Sequence, residues 1–307
     1  MPDIASIYDT LSPLMSPLWG SSKKFANSAF TTSLVGALAG AFAGAIAAQR
    51  IAEKGKFREE LVKEFHHTNA ALALGMAISS IALALKKQYV KDLKDSYDED
   101  QRRVQTHKEK ILSGEIEAET PLELNPNLLF FQEISPPVVP LQEIVLSRLL
   151  IVGRAIPAVT ALANAVTHLN GAISRRNELI RAFKDKKFPE GATFEHMYLG
   201  LRYDGRHTNQ EYEGTVKAIF LYTDDVIFFC IKLCDDLRDH GEALSKRYRS
   251  RLRGDPPRIS TLNFENPRQE GWIPKDEDYE KWLSGFATAP RQEHKRWHRL
   301  NPRNWFT

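Results

Sequence analysis

Cysteine is scarce in this chain. The only two, Cys230 and Cys234, are four residues apart, which puts them one turn apart on a helix. Side chains at that spacing do not readily reach disulfide geometry. A disulfide-stapled extracellular scaffold is therefore disfavoured, and a reducing, cytoplasmic setting is the simpler interpretation for this part of the chain.

The short motifs of common enzyme families are also absent. The sequence holds no Gly-x-x-x-x-Gly-Lys-Ser/Thr phosphate loop, no Gly-x-Ser-x-Gly elbow, no His-Glu-x-x-His and no paired Cys-x-x-Cys sites. Common hydrolase and nucleotide-binding families are thereby disfavoured, and no cofactor is indicated. An enzyme whose residues meet only in the fold carries no such signature, so it is kept as a lesser alternative.

A large excess of charge of one sign is missing too. The formal net charge is +3 and the isoelectric point is near 8.7, a balance too mild to demand nucleic acid as a partner. The chain is 42% hydrophobic and 26% charged, with a mean hydropathy of −0.38. These values are ordinary for a globular protein and exclude a polytopic transporter.

One long run without charge stands out instead. Residues 25–49 contain no charged side chain, and a helix of that length, at 1.5 Å rise per residue, can cross a bilayer core of about 30 Å. The run starts too late and is too long for a cleavable signal, and no short basic segment opens the chain. It predicts a transmembrane anchor at residues 25–49, after a proline-containing segment at residues 1–24.

Small residues recur at every fourth position of this run. On a helix they form one flat ridge, and bulky residues such as Leu38 and Phe42 lie on the opposite side. In lipid, helices associate by close backbone approach across small residues, so the ridge predicts a homo-oligomer. The alternative is an alanine-rich helix inside a soluble core. The residues of the predicted helix–helix interface are Gly36, Gly40, Gly44 and Ala48.

The flanking charges predict the orientation of the anchor. Four basic residues lie between positions 50 and 58, whereas only Lys23 and Lys24 closely precede the run. Basic residues collect on the cytoplasmic side, so the carboxy-terminal region is expected in the cytoplasm. The expected location is the plasma (inner) membrane, crossed once.

A second charge-free stretch, residues 68–85, is at the lower length limit for a span. Its large apolar residues fall on more than one face, as in a helix buried all round. A second span would also return the cysteine-containing remainder to the outside. A core helix is therefore favoured over a second span.

The remaining pattern predicts an all-α protein in which the anchor is followed by a long-helix bundle or an antiparallel coiled-coil domain. A charged helix continues to about Gly114, and residues 141–186 form a helix kinked or broken by Pro157. Residues 210–253 show apolar side chains at alternating three- and four-residue steps, typical of a packed seam. The seam comprises Ile219, Tyr222, Val226, Phe229, Leu233 and Leu237.

The predicted organisation has four parts. They are the segment 1–24, the anchor 25–49, a cytoplasmic helical bundle 50–253 with a proline-marked connector at 114–140, and an irregular basic and aromatic tail at 254–307. Within the connector, residues 128–131 are expected as a short strand or an extended arm. The tail is expected to wrap on the bundle or to stay partly disordered.

An acidic group on the last long helix is the foremost candidate for chemistry. It comprises Asp224, Asp225, Asp235, Asp236 and Asp239, with His240. Asp236 and His240 share a helix face, as a hydrogen-bonded pair or two metal ligands would. A solvated bundle face is the favoured interpretation. A carboxylate-bridged metal centre needs two Glu-x-x-His motifs, and only Glu64 to His67 has that spacing, so no metal is expected.

Residues 195–213, rich in glycine, histidine and tyrosine, are expected to form a structured connector, with a ligand-binding loop as the alternative.

Two basic clusters follow. The first comprises Lys246, Arg247, Arg249, Arg251 and Arg253, and the second lies with tryptophans at residues 291–306. Cations near a helix end favour its negative terminus. Anionic lipid headgroups are the next candidate partner for the first cluster, and nucleic acid is a minor third.

These patterns favour a non-enzymatic, membrane-anchored assembly or effector protein. The bilayer, a second copy of the chain and an unidentified protein are its expected partners. The alternatives are a pore-type effector that perturbs membranes and, below it, an enzyme that uses residues 224–240.

Overall fold

The computed structural model describes residues 29–117 and 119–286. The predicted segment 1–24, the first four residues of the predicted anchor and the second basic cluster lie outside the described residues. Nearly all regular structure is helical, as predicted, and one two-stranded antiparallel hairpin is the exception within the described part.

The helices and strands follow one another in this order. They are α1 (Ala29–Leu85), a π-helical segment (Lys86–Val90), α2 (Lys91–Leu112), α3 (Val138–Ser147), α4 (Ala155–Lys184), α5 (Phe194–Leu199), β1 (Arg202–Tyr203), β2 (His207–Thr208), α6 (Glu211–Arg251), α7 (Glu265–Gln269), a 3₁₀ turn (Asp276–Tyr279) and α8 (Glu280–Ser284).

The described chain divides into two compact units. The first comprises residues 29–63 of α1 together with residues 248–255. The second comprises residues 64–247 and 256–286, without residue 118.

In the second unit, α6 runs antiparallel to the end of α1 and its continuation. His240 Nε2 lies 3.0 Å from Glu64 Oε1, and further along Asp224 pairs with Lys86 at 2.5 Å. Partner numbers therefore fall on one helix as they rise on the other. The predicted seam on residues 210–253 is thus packed against an antiparallel neighbour.

Helix α4 also runs antiparallel to α6. Arg154, at the start of α4, binds Asp236, and Arg175, near its end, binds Glu211. Both α1 and α4 thus run antiparallel to α6, and a three-helix bundle results. Along the predicted seam Ile219, Val226, Leu233 and Leu237 are fully buried, and Tyr222 and Phe229 are half-buried.

Gly75 lets α1 and α6 approach closely. A Cβ at this position would lie 2.5 Å from the Sγ of Cys234, closer than real atoms come. The Cys230 thiol donates a hydrogen bond to the Gly75 carbonyl at 3.0 Å. The two cysteines are therefore buried, reduced packing groups at a helix crossing.

Residues 68–85 lie in this core. Eight of the 18 residues are buried, and they are Thr68, Ala71, Leu72, Gly75, Ile78, Ser79, Ala82 and Leu85. These positions recur at three- and four-residue steps, and six other residues of the stretch are exposed. The stretch therefore packs in the core along one face, and the prediction that it is buried all round is wrong.

The predicted break at Pro157 occurs earlier in the chain. Helices α3 and α4 are separated by a linker between Ser147 and Ala155. Gly153, at φ 85°, lies in this linker, in a backbone region that glycine adopts readily. Pro157 sits in the first turn of α4, where a missing N–H leaves no hydrogen bond unmade.

The described part of the predicted irregular tail packs on the bundle. The ring of Tyr279 stacks on Phe228 with centroids 3.7 Å apart, and Trp282 meets the same ring edge-on. The Asn69 side chain bonds the backbone of Arg258 and Ser260 at 2.9 Å each. Residues 256–286 are therefore a wrapped segment with two short helices.

Candidate functional site

The structure divides the acidic group among separate partners. The Arg154 guanidinium donates two hydrogen bonds to Asp236, Nε to Oδ2 at 3.1 Å and Nη2 to Oδ1 at 2.7 Å. His240 pairs with Glu64, whose Oε1 also accepts the backbone N–H of Leu150 at 3.2 Å. Asp236 and His240 therefore do not form the catalytic or metal-binding pair that their spacing allows.

Asp224 and Asp225 have other partners. Lys86, in the π-helical segment, pairs with Asp224 and donates to the Trp272 carbonyl at 2.9 Å. Burial raises the pKa of Asp224, and the Lys86 ammonium opposes that shift. Asp225 accepts the Tyr279 hydroxyl at 2.7 Å, and burial also raises its pKa.

The expectation of a solvated acidic face is therefore wrong for part of the group. Only Asp239, paired with Arg238, has a well-exposed side chain. The partners Lys86, Arg154, Glu64 and Tyr279 were missed because they are 54 to 176 residues away from the aspartates and histidine they bind. No local sequence pattern signals such pairs.

Replacing Asp236 by alanine should cost about 1–2 kcal/mol of unfolding free energy, because a partly buried arginine loses a two-bonded partner. The matched control Asp239→Ala removes an aspartate that is 68% exposed and should cost less than about 0.5 kcal/mol. Chemical denaturation followed by circular dichroism measures both. Equal effects of the two substitutions would contradict the ion-pair role.

The second polar cluster, which sequence reasoning missed, lies around Arg176. This side chain is fully buried and donates to the carbonyls of Leu129 at 2.8 Å and Asn127 at 2.6 Å. Its guanidinium carbon lies 4.6 Å from the centroid of the Phe131 ring. Nearby, the buried Asp100 accepts the Tyr198 hydroxyl at 2.9 Å.

Two asparagines of α4 complete the attachment of the connector. Asn177 donates to the Phe131 carbonyl at 2.7 Å and accepts its N–H at 3.1 Å, and Asn170 does the same with Ile134 at 2.8 and 2.9 Å. Each amide side chain thus pairs with both the N–H and the carbonyl of one connector residue, as the backbone of a neighbouring strand would. Residues 128–131 are an extended arm and not a strand, which is one of the two predicted outcomes.

Residues 195–213 form α5 and the small hairpin. Gly200 ends α5 at φ 66° and Gly205 occupies the hairpin turn at φ 67°. Both glycines therefore serve turns, in agreement with the structured-connector interpretation.

The first unit exposes the predicted anchor. Each residue from 36 to 54 is exposed, including the predicted interface residues Gly36, Gly40, Gly44 and Ala48. A Cβ added at any of the three glycines would meet nothing within 4 Å. The exposed large apolar side chains, at 48 to 73% of their full area, are Leu34, Leu38, Phe42, Ile46 and Ile51.

The first basic cluster is split between the units. Lys246 and Arg247 belong to the second unit, whereas Arg249, Arg251 and Arg253 belong to the first. The Arg251 guanidinium carbon lies 5.2 Å from the centroid of the Phe57 ring. These arginines therefore share a unit with the basic stretch that follows the apolar run.

Within residues 29–117 and 119–286, one helix, Gly36–Leu112, is long and apolar enough to cross a membrane by length and composition. The same residues hold no group of three or more side chains suited to a metal ion. Comparison with protein families, with curated proteins and with solved structures gives no match to this chain.

Proposed function

We propose that this chain is a single-pass membrane protein that self-associates through its amino-terminal helix and presents a helical bundle to a protein partner in the cytoplasm. No catalytic role is assigned to residues 224–240, because these acidic side chains are used in tertiary contacts.

One observation carries the membrane assignment. Both apolar stretches of α1 are hydrophobic enough to suggest a span, but only residues 68–85 have core partners. The five large apolar side chains between residues 34 and 51 face outward in the first unit. A contiguous exposed apolar surface of this kind requires a cover, and a run without charge over 25 residues fits the bilayer core.

The free ridge supports self-association. In lipid, small residues at a four-residue spacing let two backbones approach, and Gly36, Gly40 and Gly44 have open space around them. The bundle offers a separate apolar surface for a protein partner at the junction of α3 and α4. Its exposed residues are Val139, Leu146, Leu150, Val152 and Ile156.

The orientation rests on charge. Basic residues follow the run on the same chain, and Arg249, Arg251 and Arg253 add to them in the first unit. The positive-inside rule then favours a cytoplasmic bundle.

Substituting isoleucine at Gly36, Gly40 and Gly44 tests this proposal. The helix stays apolar and should resist alkaline extraction from membranes, whereas cross-linked dimers should fall by about tenfold or more, equivalent to ~1.4 kcal/mol. The matched control changes the bulky face with Leu34→Ile, Leu38→Ile and Ile46→Leu, and should keep the dimer.

Two results would contradict parts of the proposal. Release of the wild-type chain by alkaline washing would contradict the membrane anchor. Unchanged cross-linking of the isoleucine variant would show that the ridge is not the interface. If the wild-type chain causes dye leakage from vesicles and the isoleucine variant that no longer dimerises does not, the pore-type alternative is favoured.

A further inference from the structure

The first unit concentrates positive charge. Its described residues carry eight lysines and arginines against four acidic residues, a net charge of +4, whereas the whole chain carries +3. Lys63 is paired with Glu59 at 2.7 Å. Among the described residues no carboxylate forms an ion pair with Arg50, Lys54 or Arg251, so their charge is available to an external anion.

These three cations line one groove. It has a volume of about 460 Å³ and is formed by Arg50, Glu53, Lys54, Phe57 and Arg251. Arg50 and Lys54 are one turn apart on α1, and Arg251 reaches in from the end of α6 over the Phe57 ring. Glu53 is engaged by the Gln49 amide at 2.9 Å.

The end of α6 does not by itself account for this arrangement. Basic side chains near a helix carboxy terminus stabilise its negative pole, which explains Arg249 and Arg251. Arg50 and Lys54 are in the interior of α1, where no terminus exists. Two basic segments about 200 residues apart in sequence therefore meet beside the last residue of the charge-free run.

The position of the groove selects the anion. Arg50 directly follows the charge-free run, so in a membrane-spanning α1 it lies at headgroup depth. Phe42 and Ile46 precede it at four-residue steps on the same side of the helix, which gives an acyl chain an apolar track next to the cations. Phe42 and Ile46 face away from the Gly36–Gly44 ridge, so the acyl-chain track and the ridge are different surfaces of the helix.

We infer that the groove of Arg50, Lys54, Phe57 and Arg251 binds the headgroup of an anionic phospholipid in the cytoplasmic leaflet. The guanidinium groups bind the phosphate and the additional acidic group of the headgroup with paired hydrogen bonds, and the Lys54 ammonium adds a point charge. A zwitterionic headgroup such as phosphocholine has a phosphate but no net negative charge, so it binds more weakly. This inference rests on the proposed membrane anchor and adds a lipid class to it.

Native mass spectrometry of the full chain in a neutral detergent tests the inference, with phosphatidylserine and phosphatidylcholine as probes. Wild-type protein should retain phosphatidylserine at least about tenfold better than phosphatidylcholine. Each basic residue near a membrane surface contributes a factor of about five, so Arg50→Gln, Lys54→Gln and Arg251→Gln together should abolish the preference.

Two matched variants control for charge and for folding. Lys108→Gln, Lys110→Gln and Arg206→Gln remove the same charge from exposed positions of the second unit and should keep the preference. Arg50→Lys, Lys54→Arg and Arg251→Lys retain the groove charge but lose the paired hydrogen bonds of the two arginines, so they should keep part of the preference. Equal retention of both lipids by the wild type, or equal loss in the distant triple variant, would overturn the inference.

Competition identifies the source of the anion. Soluble glycerophosphoserine should displace the lipid only at far higher concentration, because it lacks the acyl chains that follow Phe42 and Ile46. Displacement at equal concentration, by it or by a short single-stranded DNA, would overturn the lipid assignment. Alkaline extraction of the same variants measures membrane insertion separately. A wild-type chain that stays inserted but shows no lipid preference would contradict the lipid site and leave the proposed anchor intact.

Discussion

Arg176→Ala is expected to destabilise the fold by about 3–5 kcal/mol, a large share of the 5–15 kcal/mol that folded domains usually possess. The side chain is fully buried, and its loss leaves a cavity beside the Phe131 ring. The Leu129 carbonyl loses its donor, and the Asn127 carbonyl keeps only the Tyr212 hydroxyl at 3.2 Å. The connector should then detach and become sensitive to limited proteolysis between residues 125 and 134.

The neighbouring residue supplies the control. Arg175 is about half exposed and binds Glu178 and Glu211 at the surface, so Arg175→Ala should cost less than about 1 kcal/mol. Arg176→Met, which fills much of the volume but donates no hydrogen bond, should fall between alanine and the wild type. Denaturation midpoints measure the order, and a methionine variant as stable as the wild type would show that the two carbonyl bonds contribute nothing.

Alkaline pH is expected to unfold the bundle steeply. Burial raises the pKa of Tyr97, Tyr198, Tyr212 and Tyr279 above the ordinary value of 10. The carboxylates of Asp100 and Asp225 raise the pKa of Tyr198 and Tyr279 further, whereas Arg176 partly opposes the shift of Tyr212. The folded state therefore holds these four protons more tightly than the unfolded chain.

The sign follows from proton binding. A group with a raised folded pKa contributes stability that is present below its unfolded pKa and is lost as pH rises above it. Each tyrosine that stays protonated in the folded state should reduce the free energy of unfolding by about 1.4 kcal/mol for each pH unit above about 10. Tyr279→Phe should remove one such contribution from the slope.

Tyrosinate absorbance near 295 nm and helical circular dichroism, recorded together from pH 9 to 13, measure this effect. The four tyrosines with raised pKa values should ionise only as the helix signal is lost. Complete ionisation of all nine tyrosines near pH 10, with the helix signal intact, would contradict the burial argument.

The local pattern of apolar and charged residues was sufficient to predict the long helices. Three- and four-residue apolar spacing predicted α6 within two residues at each end, and the charged helix predicted to end near Gly114 ends at Leu112, with Gly114 at φ 78°. Helical periodicity is a property of neighbouring residues, so it can be read without knowledge of the fold. Pro157 was misread because proline is compatible with the first helical turn, and sequence alone did not place that turn.

Only the tertiary structure shows which of the two apolar stretches of α1 is covered. Both are long and free of charge, but residues 68–85 have α6 beside them, with Gly75 against Cys230 and Cys234, and residues 36–54 are uncovered. Hydropathy measures how strongly a segment avoids water and does not specify what covers it. Length and the spread of apolar residues favoured a span for residues 25–49 and a core helix for residues 68–85, but only the neighbouring helices show which stretch is covered.

The sequence by itself determined the helical class, the charge-free run, the glycine spacing and the position of each charge. The tertiary structure decided which charges meet: Asp236 with Arg154, His240 with Glu64, and Arg251 with the basic stretch after the run. Ion pairs and grooves depend on distances of a few ångströms between residues far apart in the chain. Such distances are set by the packing of the bundle, which buries apolar surface without regard to sequence separation.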